Sequence, residues 1–90
     1  MKVQVLGATM KYSEDKGYLG HVKFSVEGHK QPYEITLQSD DGKYDWNYAL
    51  NFSDEPGSEE EISAVDERLE IDDDLFDLFV DAAKEALSAK

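Results

Sequence analysis

The sequence predicts an α+β fold: a four-stranded antiparallel meander with one face covered by two C-terminal helices. Three observations predict it. The first 52 residues or so alternate apolar and polar side chains with a period of two. From about residue 59 the apolar side chains recur at intervals of three and four. Between the two regimes lies Ser53-Asp54-Glu55-Pro56-Gly57-Ser58, a polar segment rich in turn formers. Ninety residues supply one core and not two, so 1–90 is predicted as a single α+β domain.

The first strand spans about 2–12. Leu6, Ala8, Met10 and Tyr12 share one parity, whereas Val3 and Val5 take the other. Either Gly7 sits in a bulge that resets the parity, or the valines form a small apolar patch on the second face. The bulge is favoured, because an exposed valine pair on an edge strand invites association. Across the Ser13 to Gly17 loop, Tyr12 is expected to meet Tyr18.

The second strand, 18–27, sets Tyr18, Val22, Phe24 and Val26 against His21, Lys23 and Ser25. The third, 31–39, sets Tyr33, Ile35 and Leu37 against Glu34, Thr36 and Gln38. A tight turn at Gly28-His29 places Phe24 opposite Tyr33 and Val22 opposite Ile35. The fourth strand, 43–52, has the clearest alternation, with Tyr44, Trp46, Tyr48, Leu50 and Phe52 on one side. Asp41-Gly42 matches a two-residue hairpin turn, which needs positive φ at both central positions. That turn predicts Leu37 opposite Trp46, Ile35 opposite Tyr48 and Tyr33 opposite Leu50.

Ser58 followed by Glu61 matches a capping box, and Ile62, Val65 and Leu69 continue at helical spacing, which predicts a helix over about 59–69. Asp72 or Asp73 can cap a second helix over about 73–88. Its apolar set, Leu75, Phe76, Leu78, Phe79, Ala82, Ala83, Ala86 and Leu87, makes a wide stripe. Trp46, Phe24, Phe76 and Phe79 are the aromatic side chains whose burial is expected to matter most.

Charge divides the chain as sharply as periodicity does. The net charge is −12. Residues 1–53 carry seven acids and six lysines, whereas 54–90 carry fourteen acids and three bases. Such a balance opposes phosphate binding, so no nucleic acid is expected as a partner. No apolar run approaches the roughly 18 residues of a membrane span, so no membrane is expected either. The absence of cysteine removes disulfides, thiolate zinc sites and cysteine nucleophiles together. Met1-Lys2-Val3-Gln4-Val5 enters a strand pattern directly, without the basic and long apolar regions of a secretory leader, and a cytoplasmic location is expected. Asn51-Phe52-Ser53 matches a glycosylation acceptor, which without a leader is read as a chance match.

Catalytic and metal chemistry find little support. Glu59-Glu60-Glu61 and Asp72-Asp73-Asp74 offer oxygen ligands, but neither they nor Asp40-Asp41-Gly42 has the spacing of a calcium loop. Both acidic runs fall at predicted helix N-termini, where carboxylates are favoured by the macrodipole, so no metal site is assigned. His21 and His29 lack a visible partner, and Ser13, Ser25 and Ser39 lack a histidine base. No phosphate-binding glycine loop or nucleophile elbow occurs, so neither an enzyme nor a cofactor is expected. The tyrosines and Trp46 share the parity of Ile35 and Leu50, and Arg68 is the single arginine, so the aromatics are read as core and not as a base-stacking platform.

The acid of the helical half exceeds what capping uses. This predicts a non-enzymatic interaction or regulatory module that presents Glu59, Glu60, Glu61, Asp66, Glu67, Glu70, Asp72, Asp73 and Asp74 to a basic protein partner. In its sharpest form these carboxylates stand in for phosphates on a DNA-binding protein. The competing expectation is a small-ligand or divalent-cation binding module; the plainest is that acidity only maintains solubility. A monomer, or a weak homodimer through an edge strand, is the expected oligomeric state.

Overall fold

Alternation becomes sheet and helical spacing becomes helix, in the expected order. Strands β1 (Val3–Ser13), β2 (Gly17–Val26), β3 (Tyr33–Ser39) and β4 (Asn47–Phe52) are followed by helices α1 (Glu59–Ile71) and α2 (Asp73–Ser88). The computed structural model describes residues 1–41 and 45–88. All neighbouring strands pair antiparallel in the order β1-β2-β3-β4, which leaves β1 and β4 as the two edges.

The parity conflict in the first strand is resolved by a bulge. Val3 faces Val26 and Val5 faces Phe24. The register then slips between Val5 and Gly7, so that Tyr12 meets Tyr18 as expected. The unpaired residue is Leu6, not Gly7. Gly7 pairs with Lys23, has no positive φ, and a Cβ there would meet nothing within 4 Å. The bulge therefore does not use the backbone freedom of glycine; it sets Val3 and Val5 opposite the buried Val26 and Phe24, with Val3 half-buried and Val5 still exposed. Glycine is required at position 17, where φ is +75° and a Cβ would stand 2.5 Å from the Ser39 carbonyl oxygen.

Between β2 and β3 the register is the one expected, Phe24 to Tyr33 and Val22 to Ile35. The turn that achieves it lies one residue earlier than predicted. His29 N–H donates to the Val26 carbonyl at 3.0 Å, and Gly28 takes the positive φ of 87°.

Between β3 and β4 the expected register is wrong by two residues. Leu37 faces Tyr48, Ile35 faces Leu50 and Tyr33 faces Phe52. A shift of two leaves every side chain on its original face, so the hydrophobic pattern cannot distinguish the two pairings. Only connection length can, and β4 begins at Asn47 instead of residue 43. Gly42 of the expected Asp41-Gly42 turn and the first two residues of the expected fourth strand, Lys43 and Tyr44, lie outside the described residues.

The core is built on the inward face of β2 and β3, where Val22, Phe24, Tyr33, Ile35 and Leu37 are fully buried. Met10 joins from β1, Leu75, Phe79, Val80 and Ala83 from α2, and Val65 and Leu69 from α1. Helix α2 crosses β1 and β2, with Phe79 packed on Phe24 at a ring separation of 4.3 Å. It comes close to the sheet at Gly20, where an added Cβ would lie 3.1 Å from the Ala83 Cβ. Helix α1 lies against α2 and β4. Of the four aromatics expected to dominate, Phe24 and Phe79 are fully buried, while Trp46 and Phe76 are only half-buried at the side of the core.

The two helices meet at a single residue. Asp72 ends α1, its N–H donating to the Arg68 carbonyl at 2.9 Å, and its Oδ1 accepts from Leu75 N–H at 3.1 Å at the start of α2. Of the two candidates, Asp72 is thus the cap, and α1 runs two residues beyond its predicted end. Ser58 Oγ accepts from Glu61 N–H at 3.3 Å, which is one half of the expected box. The Glu61 carboxylate instead accepts from Lys30 N–H at 3.1 Å, fastening the start of α1 to the β2–β3 connection.

Candidate functional site: an acid-rimmed groove beside the edge strand

Helix α1 has a narrow inward face. Val65 and Leu69 are its buried residues, and Ile62 is half-buried. So narrow a stripe cannot seal an edge strand, and β4 keeps Tyr48, Leu50 and Phe52 half-buried on the helical face of the sheet. The result is a groove of about 570 Å³ between β4 and α1. Tyr48, Leu50, Phe52 and Ile62 give it an apolar floor, and Glu59, Asp66 and Glu70 from one side of α1 give it an acidic rim.

One hydrogen bond crosses the groove. The Tyr48 hydroxyl donates to Asp66 Oδ1 at 2.8 Å. Partial burial of the phenol, that hydrogen bond, and the nearby charges of Asp66 and Glu70 together push the Tyr48 pKa up to about 12. The shift follows its causes: the phenolate would form in a partly dehydrated site beside two carboxylates. At the far end of the floor, Phe52 stacks on Tyr33 at 5.6 Å, and the Tyr33 hydroxyl lies 2.8 Å from His29 Nδ1. Burial, and then the charge of Glu61, also raise the Tyr33 pKa.

The nine acids singled out in the sequence do not form one surface. Glu59, Asp66 and Glu70 converge on the groove. Glu60 and Glu67 are exposed on α1. Glu61 and Asp72 hold backbone N–H groups, and Asp72 also accepts from Arg68 Nε at 3.1 Å. The N–H of Leu75, and then Arg68, keep the Asp72 carboxyl below its ordinary range. Asp73 and Asp74 lie in the first turn of α2, beside Arg68 in a separate hollow. Among the described residues, no three His, Asp or Glu side chains gather in a way that could hold a metal ion. Among them, too, no helix is long and apolar enough to cross a membrane.

Sequence reasoning missed the floor. Tyr48, Leu50 and Phe52 have the parity of the core and were expected to be covered. The available signal was the contrast in stripe width, three apolar positions in the first helix against eight in the second. Compared with protein-family models, curated proteins and solved structures, the chain matches none of them.

Proposed function

We propose that this protein is a non-enzymatic interaction module that binds a basic segment of a partner protein in the groove between β4 and α1. The observation that carries this reading is the placement of Glu59, Asp66 and Glu70 along one side of a floor made by Tyr48, Leu50, Phe52 and Ile62. Long cationic side chains suit such a site, because their aliphatic stems cover apolar surface while their charged ends reach the rim. The wider field of the helical half, with fourteen acids against three bases, favours encounter with cations and disfavours nucleic acid and anionic surfaces. A cysteine-free composition supports the reducing cytoplasm as the setting.

The reading requires that charge position matter more than charge total. Glu59, Glu67 and Glu70 replaced by lysine in one variant, and Asp15, Glu34 and Asp45 in another, change net charge equally. With both variants melting like the parent, an arginine-containing peptide should lose affinity for the helical variant and keep it for the sheet variant. Equal loss in both would reduce the acidity to a bulk property of the surface.

A further inference from the structure

The two edges of the sheet are finished differently. β1 carries the bulge at Leu6 and Lys11 within the strand, both of which discourage further pairing, and α2 lies over it. β4 has neither a bulge in its register nor a basic residue along its six positions.

The direction of the β4 peptide groups follows from one contact. Ser53 N–H donates to the Pro32 carbonyl at 3.2 Å, so that peptide group faces β3. Peptide groups alternate sides along an antiparallel strand, which turns Asn51, Ala49 and Asn47 toward β3 and points the N–H and C=O of Tyr48, Leu50 and Phe52 away from the sheet. The residues whose backbones face outward are therefore the ones whose side chains floor the groove.

We propose that β4 receives an extended basic segment of a partner protein as a fifth, antiparallel strand. This rests on the groove reading above and adds its geometry. A residue of the incoming strand directly opposite Leu50 exchanges both backbone hydrogen bonds with it, and its side chain shares the face on which α1 stands. That side chain lies over the floor with its end at Asp66 or Glu70; its sequence neighbours project to the opposite face, beside Ala49 and Asn51. The recognised pattern is hence arginine or lysine at every second residue, a form of strand addition in which backbone bonds give affinity and alternate side chains give choice. A second copy of this chain is a poor occupant, since pairing β4 with β4 brings together two acidic rims on molecules of charge −12.

The test leaves the protein unaltered and changes the peptide. Arginine and threonine alternate in a probe of about seven residues, enough to span β4. A block isomer with the arginines consecutive has the same charge. Two further probes carry N-methyl groups, either on the arginines or on the internal threonines. Antiparallel addition directs the arginine N–H groups at β4, so arginine methylation should weaken binding roughly tenfold or more, while threonine methylation leaves it within about twofold. The block isomer should also bind more weakly. In the complex, the amides of Tyr48, Leu50 and Phe52 should gain protection from hydrogen exchange. If all four probes bind alike and Glu70→Lys weakens them alike, strand addition is overturned while the groove reading survives. Loss on threonine methylation alone overturns the antiparallel register. If no probe binds even at low salt, both readings fall.

Discussion

Helix α2 and helix α1 cover the same sheet face with opposite results. α2 spends Leu75, Phe79, Val80 and Ala83 on β1 and β2 and closes the core over Met10, Val22, Phe24 and Val26, while Val5 and Tyr12 of the outer strand β1 stay exposed. α1 spends Val65 and Leu69, half-covers Ile62, and leaves β4 open. The difference teaches that helical spacing alone does not make a helix a lid: the number of apolar positions sets how much sheet it can cover. A second difference follows. α2 is held by a wide apolar stripe, whereas α1 adds to its buried Val65 and Leu69 a set of polar contacts: Ser58 and Asp72 cap its ends, and Glu61 reaches Lys30 and Asp66 reaches Tyr48.

The largest expected effect separates the two sides by stability. Phe79→Ala opens a cavity against Phe24 and should cost about 3 to 5 kcal/mol, enough to unfold much of the population of a small domain. Ile62→Ala, at the open groove, should cost under about 2 kcal/mol, because water reaches the vacated space. Urea denaturation measures both; equal losses would mean that α1 seals the core as fully as α2 does.

Next is Ser58→Ala. Loss of this cap should cost about 0.5 to 2 kcal/mol and should appear first as faster amide exchange in the first turn of α1, with α2 unchanged. Uniform acceleration across both helices would show that they open as one unit.

The polar fastenings also titrate. The folded pKa of Tyr48 is raised, so the stability it contributes is complete below the ordinary phenol pKa near 10 and is lost as pH rises toward about 12. Ultraviolet titration should show Tyr33 and Tyr48 as late phenols, and one late phenol should disappear in Tyr48→Phe; a titration unaltered by that substitution would remove the Asp66 contact from the account. Asp72 works in the opposite sense. Its folded pKa is lowered, so its contribution is present above the ordinary aspartate pKa and fades as pH falls through the lower folded value. Asp72→Asn should therefore flatten the acid limb of the stability curve measured by thermal melts.

The smallest effect is that of salt. Added sodium chloride screens the acids of the helical half and should raise the melting temperature modestly between about 10 and 500 mM, a range over which the Debye length falls from about 30 to 4 Å. Exchange in α1 should slow more than exchange in α2. A flat or falling melting temperature would indicate that neighbouring groups already balance the carboxylates.

Much of this architecture is legible in the amino-acid order because its causes are local. Period two wrote the strands, spacing by three and four wrote the helices, and Ser58 and the Asp72-Asp73 pair marked helix starts, since each signal depends on neighbours within one turn or one strand. The bulge in β1 was legible for a related reason: two valines of the wrong parity had to be reconciled with the strand beside them. What tertiary structure alone decided begins where two arrangements satisfy the same local pattern. The β3–β4 register is one case, because pairings two residues apart bury the same faces. The half-exposure of Tyr48, Leu50 and Phe52 is another, because parity specifies which face a side chain joins but not whether a helix reaches far enough to cover it. The sorting of nine acids is the third. Their sequence positions set charge and capping potential, but only the docking of α1 beside β4 brings Glu59, Asp66 and Glu70 to one groove while Asp72 is drawn into the corner between helices.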